Sequence, residues 1–139
     1  MDFNGTFTPE QLQQVEYEAN EAVVKNLPIV VTYPSKEELD QLDYRSKKEL
    51  TGQVRIVEIP GYDVCACCAP HVKLTGEVSI IRLIDAVKYK GGTRVTMVCG
   101  FRALKDYRMK EDNVREISRL LSAKPEESAL AVHRLQDEA

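Results

Sequence analysis

Val78-Ser79-Ile80-Ile81-Arg82-Leu83-Ile84-Asp85-Ala86-Val87-Lys88-Tyr89-Lys90, then Gly91-Gly92, then Thr93-Arg94-Val95-Thr96-Met97-Val98-Cys99, is the stretch on which the fold turns. The first arm is long and mostly apolar. Gly91-Gly92 reverses it, and in the second arm Val95, Met97 and Cys99 share one face. Two such arms around a glycine pair predict an antiparallel hairpin, and Gly100 ends the strands. Upstream, Gln53 to Ile59 reads as another strand, turned by Pro60-Gly61.

Before these strands the period is helical. Thr8-Pro9-Glu10-Gln11 opens a helix: Thr8 caps, Pro9 fits the first turn and Gln11 completes a capping box. Leu12, Val15, Ala19, Ala22 and Val23 follow at three- and four-residue spacing. Asn26 closes the helix and Pro28 forbids its continuation. Leu27 to Tyr33 reads as a short strand, and Ser35-Lys36-Glu37-Glu38 as a second capping box whose helix is spent by about Asp43.

After the hairpin, Leu104, Tyr107, Val114, Ile117 and Leu121 trace a helical stripe. A last helix opens at Pro125, runs from Glu126 to Glu138, and lacks a closing glycine or a clear apolar stripe. We expect it to be the start of something longer. The predicted class is α+β, a mostly antiparallel sheet packed with an N-terminal helix and C-terminal helices. Residues 1–122 form the expected domain and residues 123–139 the start of a longer helical linker.

The chain has 139 residues, which suits one core, with 43% apolar and 29% charged residues. A net charge of −3 argues against coating nucleic acid by charge alone, though only the docking face must be positive. No apolar run reaches the ~20 residues of a membrane-spanning helix. Met1 is followed by polar Asp2-Phe3-Asn4-Gly5 and not by a signal peptide, so a cytoplasmic setting is expected. Cys65, Cys67, Cys68 and Cys99 are then thiols or metal ligands before disulfides.

Asp63-Val64-Cys65-Ala66-Cys67-Cys68-Ala69-Pro70-His71 is the segment whose composition asks for a chemical account. Thiolate and imidazole are preferred zinc donors, held about 2.0–2.3 Å from the ion. In a straight strand Cys67 and His71 would lie ~13 Å apart, so they share an ion only if the segment bends. A tight turn through Cys68-Ala69-Pro70 would bend it. Beside this stands a plainer reading, in which clustered thiols are small core residues. Cys99 reads as core and His133 as a surface residue. With His133 remote, a self-contained zinc site would draw on Cys65, Cys68 or Cys99, and otherwise the ligand set is incomplete.

Several segments occur in a telling order: Arg55-Ile56-Val57-Glu58-Ile59, Cys67-Cys68-Ala69-Pro70-His71-Val72, Thr75-Gly76-Glu77, Gly92-Thr93-Arg94-Val95 and Cys99-Gly100-Phe101-Arg102-Ala103-Leu104. Together they resemble the editing domain of alanyl-tRNA synthetase and its free-standing relatives, over about Glu16 to Tyr107. Glu18-Ala19-Asn20 and Asn26-Leu27-Pro28-Ile29 resemble the same family's helix and following strand.

The resemblance implies hydrolysis of the ester joining a wrong amino acid, chiefly serine, to tRNA of the alanine type. It also implies zinc held by an HxxxH pair and by the Cys and final His of a CxxxH motif, to which Cys67 and His71 correspond. The chain has no other histidine before His71, so it carries half of that ligand set. Where the family often has Gly-Thr before the final His, this chain has Ala69-Pro70. The account expected from these departures is a carboxy-terminal piece of a longer editing protein.

A small pocket rejects an added hydroxyl only about a hundredfold, which is why a synthetase that charges alanine needs a second, hydrolytic site. Zinc there could position the aminoacyl group, polarise the ester or activate water. Attack by Cys65 or Cys68 thiolate lacks an evident partnered base, and no catalytic residue is assigned. The rival class is a non-catalytic module, zinc-stabilised or metal-free, that binds tRNA or a synthetase-like partner. Lys88, Lys90, Arg94, Arg102, Lys105, Arg108 and Lys110 lie close in sequence, with only Asp85 and Asp106 against them. The tRNA contacts expected from this window are Lys88, Lys90, Arg94, Arg102 and Lys105.

Overall fold

A computed structural model describes residues 1–46 and 52–139, and shows an α+β fold. The described residues cluster into two compact units, Met1–Gly100 and Phe101–Ala139. The first holds two antiparallel sheets of three strands each, and the second is helical.

In the first unit, β1 (Asp2–Asn4) leads to α1 (Pro9–Lys25). The helix starts as its sequence directs: the Gln11 amide donates to Thr8 Oγ1 at 3.1 Å and the Thr8 amide to Gln11 Oε1 at 2.8 Å. Asn26 closes it in the left-handed region at φ 50°, where asparagine is tolerated better than most residues. β2 follows at Val30–Thr32, shorter than the strand expected over Leu27 to Tyr33. Pro28 has no amide to give to a ladder and makes only an isolated bridge, with Leu74. α2 (Lys36–Asp40) begins at the Ser35–Glu38 capping box.

β3 (Ile56–Ile59) and β4 (Asp63–Ala66) form a hairpin, and the sheet order is β2-β3-β4. Gly61, at φ 82°, takes the third position of the turn, and the Tyr62 amide closes it on Ile59 O at 2.9 Å. The backbone of Arg45 lies along the outer side of β4, with Arg45 N on Val64 O at 3.0 Å and Ala66 N on Arg45 O at 2.9 Å.

The other sheet runs β1-β6-β5, with β5 at Ile81–Tyr89 and β6 at Gly92–Cys99. Lys90 (φ 46°) and Gly91 (φ 77°) make the reversal, both in the left-handed region that a two-residue hairpin of this twist requires. Gly92, which the sequence suggests as part of the turn, is the first residue of β6. It is buried under Phe3, whose carbonyl leaves no room for a Cβ. The register slips between Leu83 and Asp85, so β5 holds one residue more than β6 there. Val95 is buried, Cys99 is half-buried and Met97 is exposed.

Thr75-Gly76-Glu77 sits in a 3-10 turn, Thr75–Val78, that fastens the end of α1. The buried Thr75 hydroxyl donates to Ala22 O at 2.6 Å and accepts from the Leu27 amide at 2.7 Å. Gly76 N donates to Asn26 Oδ1 at 3.1 Å, an approach that a side chain on residue 76 would block. Ala22, Val54, Ile56 and Val95 are the buried apolar residues of this unit.

The second unit has α3 (Phe101–Leu121), a 3-10 turn at Pro125–Glu127 and α4 (Ser128–Glu138). Ser122, at φ 51°, ends α3, with Ser122 N on Arg119 O at 3.3 Å and Ala123 N on Ser118 O at 3.0 Å. Of the expected stripe, Leu104, Tyr107, Val114 and Ile117 are exposed and Leu121 is half-buried. No helix among the described residues is long and apolar enough to cross a membrane.

Candidate functional site

The β3–β4 hairpin delivers the cysteine segment. Cys65 lies in β4, a strand that the thiol-rich composition conceals, and pairs with Val57 of β3. The Cys67 amide still reaches Arg55 O at 3.1 Å, and beyond it Cys68-Ala69-Pro70 leaves the sheet and turns. Within that turn the Ala69 amide donates to Cys67 Sγ at 3.4 Å.

The residue that gathers the turn is Arg55. Its Nη1 donates to the Cys67 carbonyl at 2.9 Å and its Nη2 lies 2.8 Å from His71 Nε2. The Cys67 carbonyl and the His71 ring are therefore held by the two prongs of one guanidinium, while the Cys67 thiol faces the Ala69 amide. His71 Nδ1 lies 2.7 Å from the carbonyl of Val72. Cys67 is half-buried, while His71 and Cys68 are exposed. Arg55 was visible in the sequence only as a charged residue entering an apolar strand.

The two donors fit zinc in kind and fall short in number. Among the described residues, no group of three or more His, Cys, Asp or Glu side chains gathers as a metal site. Cys65 Sγ faces the carbonyl of Ala66 at 3.4 Å, and Cys99 belongs to the other sheet. His133 is exposed on α4, in the second unit.

Next to the cluster, Arg45 grips Asp63 through Nε at 3.0 Å and Nη2 at 2.5 Å. The hydrogen bonds from Arg45 hold the Asp63 carboxyl below its ordinary value of 3.8. Two open clefts flank Tyr62, one of about 350 Å³ lined by Arg45 and Asp63, the other of about 460 Å³ lined by Glu21 and Lys25. Neither is lined by Cys67 or His71.

The cationic residues expected to meet tRNA are divided. Lys88, Lys90 and Arg94 stand at the β5–β6 hairpin, while Arg102 and Lys105 belong to α3. Arg94 is already engaged: its Nε and Nη2 bind the Asp2 carboxylate at 2.7 and 3.0 Å. Its guanidinium also stacks 3.5 Å from the Tyr89 ring centre. Val87 pairs with Arg94 and Lys88 with Thr93, so the register places Lys88 and Arg94 on opposite faces of the hairpin.

Residues 54–117 match the family model described as the threonyl and alanyl tRNA synthetase second additional domain. An alanine--tRNA ligase of Methanothermobacter thermautotrophicus is 31% identical over 123 residues, 85% of this chain and 14% of the relative. The alanyl-tRNA editing protein Aarsd1-A of Xenopus laevis is 29% identical over 133 residues, 93% of this chain and 32% of the relative. The alanyl-tRNA editing protein AlaX-L of Pyrococcus horikoshii is 31% identical over 107 residues, 75% of this chain and 26% of the relative. The chain thus spans about a seventh of the ligase and a quarter to a third of the two editing proteins. The matched segment contains the β3–β4 hairpin, the Cys67–His71 turn, the Thr75 latch and the β5–β6 hairpin. On these grounds the chain belongs to the family of aminoacyl-tRNA editing domains shared by threonyl- and alanyl-tRNA synthetases and alanyl-tRNA editing proteins.

Proposed function

We propose that this chain is the editing module of an alanyl-tRNA synthetase-related protein and serves to hydrolyse mischarged tRNA of the alanine type, seryl-tRNA foremost. The observation that supports the reading is that the matched segment holds Cys67 and His71, with the Cys67 carbonyl and the His71 ring both bound to Arg55. Cys67 and His71 would hold zinc together with donors supplied by other residues of the working protein. Bound there, zinc would supply Lewis acidity or orient the aminoacyl ester. The chain's own part is to present the two donors from a turn anchored to β3 and β4. tRNA is the proposed partner, with Lys88, Lys90 and Arg94 as its candidate contacts on the first unit and Arg102 and Lys105 on the second, and the proposed setting is the cytoplasm.

The test is deacylation of seryl-tRNA against alanyl-tRNA, both of the alanine type. The chain is assayed alone and joined to an HxxxH-bearing segment from an alanyl-tRNA editing relative. The joined protein is expected to hydrolyse the seryl ester and spare the alanyl ester, the chain alone to do little, and His71→Ala to abolish the gain. Hydrolysis by the chain alone, unaffected by chelator, would overturn the zinc account and favour a cysteine nucleophile.

A further inference from the structure

Arg55 lies against His71 Nε2, one of the two ring nitrogens through which an ion could be held. A carbonyl oxygen only accepts hydrogen bonds and a guanidinium only donates them. The Val72 carbonyl at Nδ1 and the Arg55 guanidinium at Nε2 therefore select the same neutral tautomer of His71. In that tautomer the proton is on Nδ1 and the Nε2 lone pair faces Arg55. An ion bound through Nε2 would need that lone pair. Cys67 Sγ is occupied more weakly, by the Ala69 amide at 3.4 Å.

We propose that Arg55 is a built-in competitor for the metal: it closes the Cys67–His71 turn in the metal-free chain, and a divalent ion reaches His71 Nε2 only by displacing it. The fork geometry suits this role. One prong can leave His71 while the other keeps its hold on the Cys67 carbonyl, so the turn need not come apart when the ion enters. The inference rests on the reading of Cys67 and His71 as a donor pair, and not on ester hydrolysis.

The test is a cobalt(II) titration of the full chain, followed by thiolate-to-cobalt charge-transfer absorption. It compares the natural sequence with Arg55→Met, which keeps an apolar stem of similar length and has no donor. Losing a charged hydrogen bond to the competing lone pair is expected to tighten cobalt binding about tenfold or more. His71→Ala is expected to remove binding in both backgrounds. Equal or weaker binding by a folded Arg55→Met, judged by circular dichroism, would make Arg55 a structural staple only and overturn the inference. A thiolate band in the natural chain would then still support the donor pair. Absence of the band from both proteins would overturn the donor pair and the inference together. Should Arg55→Met not fold, nitrogen NMR of the natural chain decides. Arg55 guanidinium signals are expected to shift as zinc is added, and signals that stay fixed while those of His71 move would overturn the inference.

Discussion

The Asn20 side chain and the Ile81 backbone exchange a reciprocal pair of hydrogen bonds: Nδ2 donates to Ile81 O and Oδ1 accepts from Ile81 N, both at 2.8 Å. Two residues along β5, the Leu83 amide donates to Glu16 Oε2 at 2.6 Å. One face of α1 thus serves the start of β5 as a neighbouring strand would, covering the edge at Ile81 and Leu83. Asn20→Ala would strand both polar groups of a partly buried peptide. We expect a loss of about 1–3 kcal/mol, read as a lower urea midpoint with an unchanged slope.

The Thr75 hydroxyl joins Ala22 O to the Leu27 amide where α1 ends. Thr75→Val preserves the shape and deletes both bonds inside the protein, for an expected cost of about 1–3 kcal/mol. Thr75→Ser keeps the hydroxyl and should recover most of the loss. Equal destabilisation by serine and valine would assign the effect to packing of the methyl group instead.

Arg45 and Asp63 provide a pH-dependent contribution. The folded-state value of Asp63 lies below the ordinary 3.8, so its contribution is complete above 3.8 and is lost as pH falls through the folded value. Both side chains are partly exposed, which limits the pair to about 0.2–1 kcal/mol. Arg45→Met is expected to show a constant stability deficit from neutrality down to the ordinary aspartate value, closing in more acid solution. Chemical denaturation across that range measures it.

Two donors leave half of a tetrahedral zinc coordination sphere to water, and Arg55 opposes the entry of the ion. Zinc is therefore expected to leave the chain on dialysis against a mild chelator, with metal content falling well below one per chain. Stoichiometric retention would show that Cys65, Cys68 or Cys99 completes the set.

On the proposed tRNA face, Lys88→Ala and Lys90→Ala are each expected to weaken binding and to flatten the salt dependence by about one unit of slope. Arg94→Ala should matter less, because its guanidinium is already committed to Asp2 and Tyr89. Filter binding over a salt series separates the three.

Helix ends were legible in the sequence because the capping residues act on their own neighbours: Thr8 with Gln11, Ser35 with Glu38, and Asn26 at the close. The short strands β1 and β4 were not. Asp2–Asn4 acquires its strand character from β6, remote in sequence, and Asp63–Ala66 lies between the neighbouring β3 and the backbone of Arg45, where its run of thiols hid the alternation. A turn through Cys68-Ala69-Pro70 was expected from the sequence, and the segment does leave the sheet there. The residue that enforces the bend was hidden, because Arg55 looks like an ordinary alternating charge until the hairpin folds it over the turn.

The pairing of β1 with β6 gives any fusion to this protein a direction. Asp2 faces Arg94, and the Met1 carbonyl accepts from the Val95 amide at 2.7 Å, so the chain meets β6 part-way along its length. Residues joined ahead of Met1 would continue along Thr96, Met97, Val98 and Cys99, on the side of β6 away from β5. A linker built to carry an added segment must leave room for that lengthened strand. A bulky affinity handle at the same end would compete for that edge of β6.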